Sequence, residues 1–312
     1  MKVCFIGACG HSKQAYKYLK TRSDAVLAGM APESEHEQLT ASFDPSIPFY
    51  TDYRAMLSEV RPDLAIVSPV FAHTGRVIIE CARRGIDVFA EKPVAATRAE
   101  LDEVARVVRE SGIRFSAMHY LRYTPAFYHA AKLVRAGAIG EVRMATAQKS
   151  YKYGTRPAWY ADRTLYGGTI PWVGIHAIDW LYHFTGKRFR TVSAQAFGRD
   201  PEMAALCQFQ MEDGLIAAAN IDYYRPKTAP THGDDRVRCV GTKGVIEVRG
   251  GKIYLTNGEG DTVLTPTEAP ELLEEFLNGG EAVPPEEIFE LTEAAIAARD
   301  AADSGTVITV KE

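Results

Sequence analysis

The 312-residue chain reads as an α/β protein, with an N-terminal doubly wound parallel sheet followed by an α+β region built on a large, mostly antiparallel open sheet. Three observations predict this. Over the first third, short near-continuous apolar runs alternate with helix-period stretches, the pattern of strands covered on both faces. After about Tyr120 the strand candidates lengthen and alternate apolar with polar residues. Turn signals such as Asp213-Gly214, Thr242-Lys243-Gly244 and Asn257-Gly258 then separate them at hairpin spacing. The expected division is a first domain over residues 1–120 and a second over 121–312.

In chain order, the expected strands of the first domain run from Val3 to Ile6, Ala25 to Met30, Leu64 to Val67, Ile86 to Phe89 and Ile113 to Ala117. Between them, Val77, Ile78 and Cys81 share one helical face in the stretch from Thr74 to Arg84. Leu101, Val104, Ala105 and Val108 do so between Thr97 and Glu110. Right-handed crossovers wind such units into one sheet. The second domain opens with a helix from Pro125 to Ala136 and a long strand from Val142 to Tyr151. Further strands are expected from Arg190 to Phe197, Ala204 to Met211, Leu215 to Tyr224, Arg236 to Val240, Val245 to Val248 and Ile253 to Leu255. Two helices close the chain, Ala269 to Leu277 and Glu286 to Ala302, the latter with Ile288, Leu291, Ala295 and Ala298 on one stripe.

With 46% apolar and 24% charged residues, the chain has material for two ordinary cores. A formal net charge of -4 provides no broad positive field, which argues against nucleic acid or an anionic membrane as the main partner. Cys4, Cys9, Cys81, Cys207 and Cys239 lack the close spacing of a metal knuckle or a disulfide framework, so they read as reduced thiols in a cytoplasm. Neither a signal peptide nor a membrane span is expected.

Chemistry-bearing residues cluster where strands end. Gly7-Ala8-Cys9-Gly10-His11-Ser12 joins a strand to a helix, where a dinucleotide fingerprint places glycines at 7, 9 and 12. Gly7 satisfies the tight turn, Ser12 is small enough for close helix packing, and Cys9 puts a side chain where bare backbone is wanted beside pyrophosphate. A turn without a ligand is the competing reading. Glu33 and Ser34 follow the second strand slightly late for a ribose acceptor, and no Arg or Lys follows closely to hold a 2′-phosphate, so NAD is preferred to NADP. After the third strand come Ser68-Pro69 and His73, the latter a helix-start residue near the cofactor or a capping histidine. Glu91-Lys92-Pro93 follows the fourth strand, at the rim where open α/β sheets bind ligands. There Lys92 is a proton carrier or polariser of an oxygen, unless it forms a surface ion pair. Farther on, Gly167-Gly168 enters an apolar helix carrying His176 and Asp179 one turn apart.

Taken with Arg122 to Pro125 and Gly137-Ala138-Ile139-Gly140, these motifs resemble the Gfo/Idh/MocA family of glucose-fructose oxidoreductase and inositol dehydrogenase over nearly the whole chain. The resemblance implies an N-terminal Rossmann domain, homodimers or homotetramers through an open sheet face, and hydride exchange at a sugar or polyol carbon. It makes Lys92 and His176 catalytic. The cofactor set it supports is Gly7, Cys9, Gly10, His11, Ser12, Glu33, Ser68, Pro69, His73, Glu91, Lys92 and Arg122. In the family an aspartate stands four residues before the histidine, and here that position is Trp172, which carries no proton but can stack on a sugar.

Lys149, Tyr151 and Lys152 end the long strand, and Arg156-Pro157-Ala158-Trp159-Tyr160 follows. Such cations and rings suit an acidic or phosphorylated sugar, or a sugar ring stacked on an aromatic face, whereas edge-strand protection is the plain alternative. Lys149, Tyr151, Trp159, Trp172, Asp179 and His232 are therefore the expected substrate-binding residues. His176, His232, Asp234 and Asp235 lack ligand spacing, so no metal is expected. The expected activity is a nicotinamide-dependent interconversion of a secondary alcohol and a ketone on a small hydroxylated substrate. The alternatives are an NAD-assisted hydrolase or lyase and a non-catalytic sugar or dinucleotide sensor, the latter motivated by Trp172 and Cys9.

Overall fold

The short apolar runs form one five-stranded sheet in the computed structural model, which describes residues 1–199, 201–280 and 282–310. Its strands are β1 (Lys2–Ile6), β2 (Val26–Ala31), β3 (Leu64–Val67), β4 (Asp87–Ala90) and β5 (Phe115–Ala117), all parallel in the order β2-β1-β3-β4-β5. Helices α1 (Ser12–Lys20), α2 (Tyr53–Val60), α3 (Thr74–Arg83) and α4 (Arg98–Ser111) connect them. Asp52 and Thr97 cap α2 and α4 by accepting from the N–H groups of Arg54 and Glu100. The strand order reverses between β1 and β3, which opens a crevice at their carboxyl ends.

The later alternating strands form a second sheet. Helix α5 (Pro125–Arg135) leads into β6 (Val142–Tyr151), the single turn α6 (Arg163–Tyr166), and helix α7 (Ile175–Thr185). The remaining strands are β7 (Phe189–Phe197), β8 (Ala204–Met211), β9 (Ile216–Asp222), β10 (Gly233–Gly241), β11 (Gly244–Arg249), β12 (Lys252–Asn257), β13 (Gly260–Leu264) and β14 (Ile308–Thr309). They lie in the order β13-β12-β11-β10-β6-β9-β8-β7-β14, antiparallel except for the β6–β9 pair. Strand β13 was not expected, because its Gly-Asp-Thr-Val-Leu sequence is solvent-exposed and carries no apolar alternation. One face of the sheet is dry: Ala145 and Ala147 of β6, with Ala217, Ala219 and Ile221 of β9, are buried on it, and Phe127 of α5 stacks on Trp180 of α7 at 4.4 Å. The alternate residues form an open face on which Leu206 and Ile216 are exposed.

The chain divides into two compact units. One comprises residues 1–118, 164–167 and 272–292, and the other comprises 119–163, 168–271 and the stretch from Glu293 onward. The closing helices α8 (Leu272–Asn278) and α9 (Pro285–Ser304) therefore correct the simple division at 120/121. All of α8, and α9 as far as Thr292, join the first unit because their apolar side chains cover its edge. Phe276 meets Phe89 at 5.5 Å, Phe289 stacks on Phe115 at 5.8 Å, and Ser116 donates to the Val283 carbonyl at 3.0 Å. A sheet edge covered in this way is shielded from further pairing.

Candidate active site

At the crevice of the first unit, the turn after β1 is built around a glycine. Gly7 has φ +78°, and a Cβ there would lie 2.4 Å from the Ser68 carbonyl and 2.5 Å from Pro69 Cα. No other residue fits this crossing of the β1 and β3 loops. Cys9 then donates its backbone N–H to the Ser68 carbonyl at 2.8 Å, while the Ser68 hydroxyl donates to the Cys9 carbonyl. The backbone of Cys9 thus ties the two loops together. Gly10 also has positive φ, and Ser12 is buried at the start of α1, whose N-terminal end carries the positive pole of the helix dipole that suits an anion.

Glu33, just past β2, turns its carboxylate toward α3. It bonds His73 Nδ1 at 2.5 Å and pairs with Arg76. Arg76 escaped the sequence reading because it lies a strand and a helix further along the chain. Glu37 was missed as well: its carboxylate accepts from the Glu33 and Val70 N–H groups at 2.7 Å each, and burial pushes its pKa up to about 7. A dinucleotide held at the Gly7 turn would have the α1 N-terminus for its pyrophosphate and the Glu33 carboxylate for its ribose.

Lys92 emerges from β4 into the same rim and is only 1% exposed, so it is not a surface ion pair. The peptide bond to Pro93 is cis. Its neighbour Glu91, 0% exposed, accepts from the His11 N–H at 2.6 Å and meets His11 Nδ1 at 2.9 Å, with Lys92 Nζ at 3.7 Å from the same carboxylate. Burial alone pushes the Glu91 pKa up, but the His11 interactions and the Lys92 charge together hold it below the ordinary carboxylate value. Glu91 is therefore a fixed negative charge that links the dinucleotide turn to the residue before Lys92.

In the second unit, Gly168, at positive φ, leads through one π-turn, Ile170–Gly174, into α7. Such turns recur at functional positions. Thr169 fixes the entry by donating its N–H and hydroxyl to Glu202, at 2.9 and 2.6 Å. Trp172 lies in the π-turn, and His176 is 2% exposed one residue into the α-helix. Asp179, expected at the substrate, is 0% exposed, and its carboxylate is engaged by the Arg122 guanidinium and by His119 Nδ1 at 3.4 Å. Burial raises its pKa, yet Arg122 and His119 outweigh that and hold it well below the usual range. Arg122, expected among the cofactor residues, is the other half of this pair.

The end of β6 gathers a further cluster. Lys149 is 0% exposed, paired across the strand with Asp235 of β10, and its Nζ lies 2.6 Å from Asp235 Oδ2. That ammonium also sits over the Tyr151 and Trp180 rings, at 4.2 and 5.1 Å. Burial lowers the Lys149 pKa to about 8 and raises that of Asp235. Tyr151 packs on His232 at 4.9 Å, and Gly233, opposite it in the ladder, leaves room for the ring. Trp159 is buried against Tyr160, their ring centroids 4.5 Å apart. Asp235 carried no catalytic signal in sequence, because its partner lies 86 residues away. Among the described residues no three His, Cys, Asp or Glu side chains are placed to hold a metal.

The 2-1-3-4-5 sheet, its glycine turn and the lysine at the β4 rim define an NAD-binding Rossmann fold, joined here to a nine-stranded mixed sheet. Residues 1–119 match the family model described as "Oxidoreductase family, NAD-binding Rossmann fold" and residues 127–247 the "GFO/IDH/MocA C-terminal domain", so the chain belongs to the Gfo/Idh/MocA family of oxidoreductases. A solved structure assigned as an oxidoreductase, from Thermotoga maritima, is 38% identical, with a TM-score of 0.94 over 99% of this chain and 100% of its own. The 2,7-anhydro-N-acetylneuraminate hydratase of Mediterraneibacter gnavus is 26% identical over 72% of this chain and 64% of its own length. The scyllo-inositol 2-dehydrogenase (NAD(+)) of Bacillus subtilis is 29% identical over 58% of this chain and 53% of its own. The chain thus spans less than two thirds of the length of these two curated relatives.

Proposed function

We propose that the protein is an NAD-dependent dehydrogenase that interconverts a secondary alcohol and a ketone on a sugar, polyol or related small hydroxylated molecule. The observation that carries this reading is the buried Lys92 at the β4 rim, next to a carboxylate that also holds the dinucleotide turn through His11. A lysine shielded from bulk water is suited to bind the reacting hydroxyl and take its proton. Bound NAD supplies the hydride acceptor. Gly7, Cys9, Gly10, His11, Ser12, Ser68 and Pro69 form the cradle for it, and Glu33 with His73 takes the ribose. The Glu33 carboxylate neutralises Arg76, so no net positive charge is left there for a 2′-phosphate, which supports NAD over NADP. His176 is assigned the second proton-handling role by the family resemblance. Purified protein should reduce NAD with at least one member of a polyol, sugar and sugar-acid panel, and absence of any nicotinamide absorbance change across it would reject the assignment.

A second reading is supported by the likeness to a hydratase and by Trp172 in place of the family aspartate. It is addition or elimination of water, with hydride removed and returned within one turnover. Product release without net NADH would favour it. The exposed Phe197, Leu206 and Ile216 on the second unit's sheet support a homodimer or homotetramer, which sedimentation would test. Five cysteines without a disulfide support a cytoplasmic setting, and no helix among the described residues is long and apolar enough to cross a membrane.

A further inference from the structure

The loop after β6 carries an arginine with no carboxylate partner among the described residues. Arg156 sets its guanidinium carbon 5.3 Å from the Tyr160 ring centre, 5.6 Å from Tyr223 and 6.0 Å from Tyr153. Tyr160 and Tyr223 are buried, and Tyr153 meets Tyr223 edge to face at 5.2 Å, so the rings form a fixed wall for the cation. Ring faces attract a guanidinium without accepting its N–H groups in line. Arg156 Nε is itself buried with no hydrogen-bond partner among the described residues. The guanidinium is thus positioned while its donors are left for a ligand, the arrangement that suits planar, two-pronged recognition of an oxyanion.

The cations around it have acceptors of their own. Lys149 is matched by Asp235 at 2.6 Å. Lys152 donates to the Lys227 carbonyl at 3.0 Å and to that of Ala229. Arg236 and Arg225 face Asp234, at 2.7 and 3.8 Å. His232 is held below its ordinary pKa, first by desolvation and then by Arg156, Lys149 and Lys152, so it carries little charge at neutral pH. Of these cations Arg156 alone has neither a carboxylate nor a carbonyl acceptor among the described residues, and its one planar fork matches one carboxylate.

We propose that Arg156 anchors a substrate carboxylate, which makes the substrate a sugar acid or another polyhydroxy carboxylate. This rests on the dehydrogenase reading for the identity of the bound molecule as substrate. The test uses the full-length protein with NAD and matched probes: D-gluconate with D-glucitol, D-galacturonate with D-galactose, and D-glucose 6-phosphate. Each is followed by NADH absorbance and, separately, by ligand-dependent melting. The acid of at least one pair should exceed its neutral partner by roughly 10- to 100-fold in kcat/KM, mainly through KM. Arg156→Gln should bring that ratio close to one, and Arg156→Lys, which keeps the charge without the fork, should retain part of it.

Melting separates the two readings. An acid-specific rise in Tm that disappears in Arg156→Gln, with no NADH formed, supports the anchor and overturns the dehydrogenase. NADH formed without preference for the acids overturns the anchor and leaves the dehydrogenase standing. Preference for the phosphate ester, or an acid preference unchanged in Arg156→Gln, also overturns the anchor, as does the absence of both melting shift and turnover with every acid.

Discussion

Among the described residues two lysines are sealed from water, Lys92 at the β4 rim and Lys149 at the end of β6, and each faces a carboxylate. The carboxylates differ. Glu91 collects a backbone N–H and an imidazole from His11 besides Lys92, and these together overcome the cost of burial. Asp235 has Lys149 as its main partner, and there burial dominates: the acid moves up, and the lysine falls to about 8. A dry carboxylate with several donors stays a fixed charge, whereas one with a single close partner shares its proton. The first arrangement suits a rigid catalytic frame, and the second a group that changes protonation near neutral pH.

Removing each charge in turn tests this contrast. Lys92→Ala should lower kcat by on the order of 10²–10⁴, the usual range for a positioned acid–base group. Wild-type turnover in that variant would break the role assigned to the β4 rim. A third buried pair calibrates the energetic scale. Asp179→Asn leaves the Arg122 guanidinium uncompensated and should cost about 3–5 kcal/mol in urea unfolding at neutral pH. Because the folded pKa of Asp179 is depressed, its contribution is complete above about pH 4, the unfolded carboxylate value, and is lost as pH falls through the folded value.

The β6 end should respond on the alkaline side. With Lys149 near 8 in the folded chain and 10.5 in the unfolded one, the unfolded state binds the extra proton between those values. Wild-type stability measured against Lys149→Met should therefore rise across that window, by up to about 3 kcal/mol. A flat difference would show that Lys149 keeps its ordinary pKa in the folded chain. Glu91→Gln, like Asp179→Asn, strands a buried cation, Lys92, and should cost about 3–5 kcal/mol in urea unfolding. It should also raise the KM for NAD, because the His11 turn loses its anchor.

Much of this was legible in the chain. Strands β6 and β8 run over the residues that alternation predicts, since a sheet with one dry face writes its period into the sequence. The β4 rim and its lysine were visible because strand ends in a parallel sheet share one side. Helix α2 drew no expectation, and β13, exposed except at Leu264, offered no period to read. Helix α8 and the start of α9, as far as Thr292, were placed with the other unit, because an apolar stripe reports that a face is covered without reporting by what.

By itself, then, the sequence determined the two-sheet architecture, the glycine turn, and the lysine and histidine on which the proposed chemistry rests. Their information is local, carried by period, turn chemistry and position at a strand end. Only the tertiary structure decided the partners: Glu91 with His11, Glu33 with Arg76, Asp179 with Arg122, Lys149 with Asp235, and Arg156 with three tyrosine rings. Such pairings join residues far apart in the chain and depend on register and winding, so they are fixed only when the elements pack.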